Sequence, residues 1–139
     1  MTKGLETNHD SIHGLISTIL ENRLPVRFLA EAQRDIVEAV YDGFPVQDLR
    51  VLAQARTLVA DEVLAGVVEN MGEQFSGISH MCAHLLDSQS HDVRCKAIIA
   101  FSKHPSLAGR DIREKIAALV DDNVPSVSAA AKTFIAKIT

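Results

Sequence analysis

The sequence predicts an all-α protein, a solenoid of about eight short helices arranged in four antiparallel pairs. Three observations lead to this fold class. Apolar residues recur at helical spacing along the chain, no segment alternates apolar and polar residues as a strand would, and one stretch is repeated. Residues 78–104 laid on residues 112–138, at an offset of 34, give seven identities in 27 positions. A repeat of this period is typical of folds that stack similar helical units. The identical pairs are Ile78/Ile112, Ala83/Ala117, Leu85/Leu119, Asp87/Asp121, Val93/Val127, Ala97/Ala131 and Lys103/Lys137.

Length and composition indicate one globular domain. The chain has 139 residues, of which 47% are hydrophobic and 23% charged, and its formal net charge is −4. These values are ordinary for a folded domain, and the negative charge argues against a nucleic-acid surface, which usually carries a basic stripe. The N-terminus lacks the apolar region of a signal peptide, and no apolar run is long enough to span a membrane. We therefore expect a cytoplasmic protein that makes no membrane contact.

The first two helices are predicted from amphipathic spacing and from proline. Residues 1–9 are polar and are expected to form a flexible N-terminus, and residues 10–139 are expected to form the single solenoid domain. A first helix begins at Asp10. Pro25 begins a second, because its missing N–H costs nothing in a first helical turn, and this helix ends near Gly43.

The boundary between the third and fourth helices is left open by the sequence. Pro45 begins the third helix, and Asp61 is the candidate N-cap of the fourth. No Gly or Pro interrupts residues 46–65. Residues 46–71 are therefore compatible with two helices or with one long bent helix.

The repeated stretch predicts the last four helices. Helix five is predicted over residues 78–86, and helix six begins near His91. Asp111 followed by Glu114 has the spacing of a capping box, which would begin helix seven. Pro125 begins helix eight.

The turn inside each repeated unit resembles the intra-repeat turn of HEAT repeats. In that family the turn carries an Asp, a Pro and a Val-Arg pair in this order, and an Asp–Arg ladder is typical. Asp122 and Pro125 match the first two residues in the last unit, and Val93 and Arg94 match the pair in the unit before it.

The resemblance is incomplete within each unit. Ser88 stands where the family has Asp in one unit, and Ser128 stands where it has Arg in the other. A weaker echo at residues 19–27 extends the resemblance to about two thirds of the chain. It implies a curved, right-handed superhelix whose second helices line a concave binding face.

Two groups of residues have metal-ligand chemistry, and a structural interpretation is preferred for both. His80 and His84 are spaced i, i+4, so a helix would place both on one side, facing solvent, but no third ligand lies nearby. Cys82 and Cys95 correspond to Ile116 and Ala129 in the other copy, which predicts reduced thiols in the core. We expect no metal and no cofactor.

No catalytic motif is found, so the sequence favours a protein-binding module over an enzyme. A concrete version is a bacterial immunity protein that neutralises a toxin or effector, since an acidic chain suits a basic partner. The alternatives are a nucleic-acid-binding or repair protein, and a structural homodimer formed through the apolar C-terminal helix, where Ala130 and Ala136 would lie at the contact. The candidate partner-binding residues are Arg27, Arg34, Arg94, Lys96, Ser102 and Lys103.

Overall fold

The computed structural model describes residues 9–139, with side chains from residue 11 onward, and over this range the protein is all-α without a β-strand. The predicted fold class is confirmed at this level. The predicted flexible segment, residues 1–9, lies outside the described residues except for His9, which begins the first helix. The α-helices are α1 (His9–Leu20), α2 (Leu29–Tyr41), α3 (Arg50–Ala55), α4 (Leu58–Asn70), α5 (His91–Lys103), α6 (Arg110–Ala118) and α7 (Pro125–Ile138). Short 3-10 segments extend or connect them at Val26–Phe28, Val46–Leu49, Gly72–Gly77, Ser79–Met81, Ala83–Asp87, Pro105–Leu107 and Leu119–Asp121.

Three of the helical starts predicted from proline lie at that proline or directly after it. Pro25 precedes the 3-10 turn that leads into α2, and Pro45 precedes the one that leads into α3. Pro125 is the first residue of α7, where its missing N–H is not needed. The predicted start of α5 at His91 is also confirmed, and the Ser90 hydroxyl accepts the cap hydrogen bond there.

Residues 46–71 form two α-helices, and the break between them carries no glycine or proline. Arg56 ends α3 with a left-handed φ of 57°, an uncommon conformation for a residue with a Cβ. Thr57 is then the N-cap of α4, because its hydroxyl accepts a 3.2 Å hydrogen bond from the Ala60 N–H. The prediction that Asp61 is this N-cap is wrong, since Asp61 already lies inside the first turn of the helix.

The α-helix predicted over residues 78–86 is replaced by a run of 3-10 turns. Ile78 (φ −133°) and Cys82 (φ −103°) depart from helical geometry and separate the turns, and the Met81 N–H bonds to the Ile78 carbonyl three residues back. The buried residues of this stretch recur every three or four positions. That spacing fits a 3-10 turn as well as an α-helix, so the apolar pattern could not separate them.

The capping box predicted at Asp111 and Glu114 is also wrong. Gly109 is the N-cap of α6, and Asp111 lies in the first helical turn. Glu114 instead forms an i, i+4 ion pair with Arg110, whose Nε lies 3.2 Å from Oε2. The helix therefore starts two residues earlier than a capping box would require.

The core is centred on α4. Seven of its 13 residues are buried: Ala60, Val63, Leu64, Ala65, Gly66, Val67 and Val68. It packs against α2 on one side and α5 on the other, and α5 in turn packs against α7. We call α2, α4, α5 and α7 the second helices, after their places in the four predicted pairs. The remaining segments also meet in chain order, since α1 contacts α3, residues 46–49 contact residues 72–77, and residues 83–87 contact α6.

Candidate partner-binding surface

The second helices expose one side, and hydrogen bonds join each helix to the next along it. The Tyr41 hydroxyl on α2 donates to the Asn70 carbonyl on α4 at 3.2 Å. The Lys103 ammonium on α5 donates to the Glu69 carbonyl on α4 at 2.7 Å. We call this surface the second-helix face; its residues are Arg34, Glu38, Tyr41, Glu62, Glu69, Asn70, Asp92, Cys95, Lys96, Ile99, Lys103, Ser126, Ala129, Thr133 and Lys137.

Lys103 and Lys137, an identical pair of the repeat, have the same structural role. Each donates to a carbonyl near the C-terminus of the preceding second helix: Lys103 to Glu69, and Lys137 to Ser102 at 2.9 Å. The last carbonyls of a helix have no partner within the helix and carry partial negative charge. The repeat identity at these positions is therefore explained by the joining of neighbouring helices.

Arg94 is held at the junction between the two repeated units. Its Nε and Nη2 donate to the two carboxylate oxygens of Asp122 at 3.1 and 3.2 Å, and its Nη1 donates to the Ser88 carbonyl at 2.7 Å. The Asp122 carboxylate also accepts from the Val124 N–H at 2.9 Å. That backbone hydrogen bond and the Arg94 guanidinium hold the pKa of Asp122 below its usual range.

The two repeated turns use different residues for the same local bond. The Ser88 hydroxyl accepts from the Ser90 N–H at 3.1 Å, two residues along, as Asp122 does from Val124 at the equivalent place. Ser88 thus replaces the turn-forming role of Asp122, but it has no charge with which to pair an arginine.

The remaining predicted partner-binding residues lie in different places. Lys96 forms an ion pair with Asp92 on the second-helix face at 3.1 Å, whereas Ser102 is buried, with 8% of its surface exposed. Arg27 lies before α2, with its guanidinium carbon 4.8 Å from the centroid of the Phe28 ring. Arg34 is exposed on α2. The structure therefore brings only part of the predicted set onto one surface.

A groove of about 490 Å³ runs between α2 and α4 on the second-helix face. Its lining residues are Ala30, Gln33, Arg34, Val37, Glu38, Tyr41, Gly66 and Asn70. A Cβ at residue 66 would meet the amide end of the Gln33 side chain, which lies against Gly66 and donates to the Glu62 carbonyl at 2.7 Å. Tyr41 leaves 62% of its surface exposed beside this groove.

The two halves of the second-helix face differ in which charged side chains remain unpaired. The groove half, α2 and α4, carries Glu38, Glu62 and Glu69 against Arg34, and in the described residues none of these carboxylates has a hydrogen bond or ion pair. On the other half, α5 and α7, the lysines already donate to Asp92 or to helix carbonyls. Sequence reasoning singled out the cations and missed these glutamates, although the net charge of −4 pointed to carboxylates.

The histidine pair does not lie on one solvent-facing side, contrary to the prediction. His80 is exposed, but His84 keeps only 11% of its side chain exposed, because the two belong to different 3-10 turns. The His84 Nε2 lies 3.1 Å from Asp61 Oδ1, and its Nδ1 lies 3.1 Å from the Met81 carbonyl oxygen. Over residues 9–139 no group of three or more potential ligands could hold a metal ion.

The two free thiols differ in environment. Cys82 is fully buried, as predicted, and burial raises its pKa to about 12. Cys95 is only partly buried, at the second-helix face, so its predicted core position is only partly right. Burial, followed by the charges of Asp92 and Glu69, raises the pKa of Cys95, which disfavours a reactive thiolate at neutral pH.

Comparisons with protein-family models, curated proteins and solved structures found no match. None of the helices in the described part of the chain combines the length and apolar character needed to cross a bilayer.

Proposed function

We propose that this chain is a non-enzymatic protein-binding module, built as a short right-handed α-solenoid of HEAT-like helix pairs. The order of packing among α2, α4, α5 and α7 supports this architecture, because each second helix contacts the next in sequence. The Arg94–Asp122 pair supports the HEAT-like assignment, since it joins two turn positions that carry the resemblance. The unit of residues 78–104 lacks the Asp of the ladder, and the unit of residues 112–138 lacks the Arg. The one residue that each unit has pairs with the one residue that the other has.

The groove between α2 and α4 is the proposed binding site, and the exposed ring of Tyr41 beside unpaired carboxylates carries the proposal. Exposed aromatic side chains at a groove are typical anchors of protein interfaces. Glu38, Glu62 and Glu69 offer acceptor oxygens that no described residue uses. A partner that places lysine or arginine opposite these carboxylates, and an apolar side chain against Tyr41 and Val37, would satisfy both features.

In its concrete form, the proposal is a bacterial immunity protein or antagonist that covers a basic toxin or effector. Carboxylates that face a basic surface accelerate encounter through long-range attraction, and this contribution weakens as salt rises. Nucleic-acid binding is not favoured, because it requires a basic concave face, whereas the groove half carries three carboxylates against one arginine.

Affinity capture from the native cell tests this proposal with two variant baits beside the wild type. One bait carries Glu38→Lys, Glu62→Lys and Glu69→Lys in the groove half. The control bait carries Glu73→Lys, which reverses an exposed carboxylate on the segment Gly72–Gly77. We expect a basic protein that the wild type and the control retain and the triple variant loses.

Two results would refute the proposal. One is a partner that all three baits retain equally, which would place the binding site elsewhere. The other is a nucleic acid that binds the wild type in a salt-dependent gel shift, which would assign the surface to a different class of partner.

A further inference from the structure

One end of the helix stack carries an unpaired acidic pair beside protruding apolar side chains. A pocket of about 290 Å³ between α1 and α2 is lined by Leu15, Leu24, Phe28, Glu31, Ala32 and Asp35. Glu31 and Asp35 form no ion pair with any described residue. Val26, just before Phe28, leaves 83% of its surface exposed. Arg27 also lies at this end, and the two carboxylates outnumber it. We call this surface the acidic end.

The opposite end carries an apolar groove with basic side chains that form no ion pair with a described carboxylate. A groove of about 520 Å³ between α6 and α7 has an apolar floor that includes Ala117, Ile135 and Ile138. Arg113 lies at its rim, where its Nε donates to the Ala108 carbonyl at 2.8 Å and no carboxylate pairs with it. Lys132 stands one turn before Ile135 on α7, is exposed, and has no partner among the described residues. Arg110 also lines this groove, but it is not an available cation, because Glu114 pairs with it. We call this surface the basic end.

The junctions inside the molecule join successive elements by apolar packing together with a charged pair. Asp61 on α4 meets His84 in the next segment, and Lys115 on α6 meets Asp87 at 2.6 Å. The acidic and basic ends offer apolar surface and charged side chains that form no ion pair within the described chain. The exposed Val26 side chain offers apolar surface to an apolar groove, and Glu31 with Asp35 are opposite in charge to Arg113 with Lys132.

We propose that the basic end of one copy docks on the acidic end of a second copy, head to tail. Such a contact is heterologous, because it uses the basic end of one copy and the acidic end of the other. A dimer therefore keeps one free acidic end and one free basic end, and further copies add until a ring closes. This head-to-tail contact is not the homodimer considered from the sequence, which would form symmetrically through the outer side of α7. Ala130 contributes little to such a dimer, because it is half-buried and packs against the core, whereas Ala136 is exposed.

Sedimentation velocity of the full chain tests the proposal over a concentration series at low and high salt. The acidic-end variant carries Glu31→Lys and Asp35→Lys, so both its ends are basic. The basic-end variant carries Arg113→Glu and Lys132→Glu, so both its ends are acidic. A third variant, Val26→Asp, removes the apolar protrusion at a site too exposed to affect folding. Circular dichroism establishes that each variant is folded.

Head-to-tail docking predicts that the wild type forms dimers and larger species whose population grows with concentration and falls with salt. Each charge variant and Val26→Asp should remain monomeric alone, and an equimolar mixture of the two charge variants should regain association. A wild type that is monomeric throughout the series would overturn the proposal. So would a wild type that stops at a dimer unaffected by any of the variants, or a mixture of charge variants that stays monomeric.

Discussion

The Asp61–His84 contact gives the sharpest quantitative prediction, because the sequence assigned both residues to other roles. The two side chains expose only 13% and 11% of their surfaces, and their nearest atoms lie 3.1 Å apart. Both His84 nitrogens lie 3.1 Å from an oxygen atom, one on Asp61 and one on the Met81 carbonyl, so both edges of the ring have a partner inside the fold. Replacing either Asp61 or His84 by alanine leaves the other side chain shielded from water and without its hydrogen-bond partner.

The expected coupling follows from the distance and the burial. Removing one partner of a part-buried hydrogen bond leaves the other unsatisfied, which costs about 1–3 kcal/mol. A double-mutant cycle of Asp61→Ala and His84→Ala should therefore give a coupling of about 1–3 kcal/mol.

Urea unfolding of the wild type, both single variants and the double variant measures this coupling at neutral pH. His80→Ala is the matched control, because His80 is exposed in the neighbouring turn, and it should change the free energy of unfolding by less than about 0.5 kcal/mol. Additive losses from the two single variants would refute the reasoning. They would mean that His84 faces solvent, as the i, i+4 spacing first predicted.

Three further predictions concern the α4 cap, the core and the thiols. Thr57→Ala should lower the free energy of unfolding, measured in urea, by about 1 kcal/mol. The control Thr133→Ala, at an exposed position within α7, should change it by less than about 0.5 kcal/mol. Equal effects of the two substitutions would contradict the role of Thr57 as the N-cap of α4. Phe101→Ala should lower it by about 3–5 kcal/mol, because Phe101 is fully buried and packs edge-on against a second ring at 5.1 Å; a loss below about 1 kcal/mol would exclude this packing. Maleimide should label one thiol of the folded chain, Cys95, at a rate that rises as pH increases, and label Cys82 only after unfolding; two equally fast thiols would contradict the burial of Cys82.

The sequence predicted those elements whose signals are local. Pro25, Pro45 and Pro125 mark helical starts because proline fixes φ and lacks an N–H, and these effects do not depend on distant contacts. The all-α class followed from apolar spacing over many residues, which averages out local errors.

The failures concern features that depend on contacts across the fold. Arg56 adopts a left-handed conformation that the conformational preference of arginine does not predict. α3 ends there, and Thr57 rather than Asp61 becomes the N-cap of α4. Residues 78–86 keep a spacing of three to four that also suits 3-10 turns, so the side of His84 could not be deduced from i, i+4 geometry.

The candidate surface was predicted only in part, because bonding between helices decides which charges remain available. The sequence placed Arg94 and Lys103 on second helices, but it could not show that the first pairs with Asp122 and the second joins α5 to α4. The unpaired Glu62 and Glu69 emerged only once the positions of α2 and α5 around α4 were known.

A binding titration of the captured partner tests the central claim most directly. Isothermal calorimetry compares the wild type, the triple variant Glu38→Lys/Glu62→Lys/Glu69→Lys and the Glu73→Lys control at low and high salt. The proposed groove predicts that the triple variant binds at least about tenfold more weakly, a loss of ~1.4 kcal/mol or more. It also predicts that wild-type affinity falls as salt rises, and that the control matches the wild type. Equal affinity for all three proteins, unchanged by salt, would contradict the groove half of the second-helix face as the binding site.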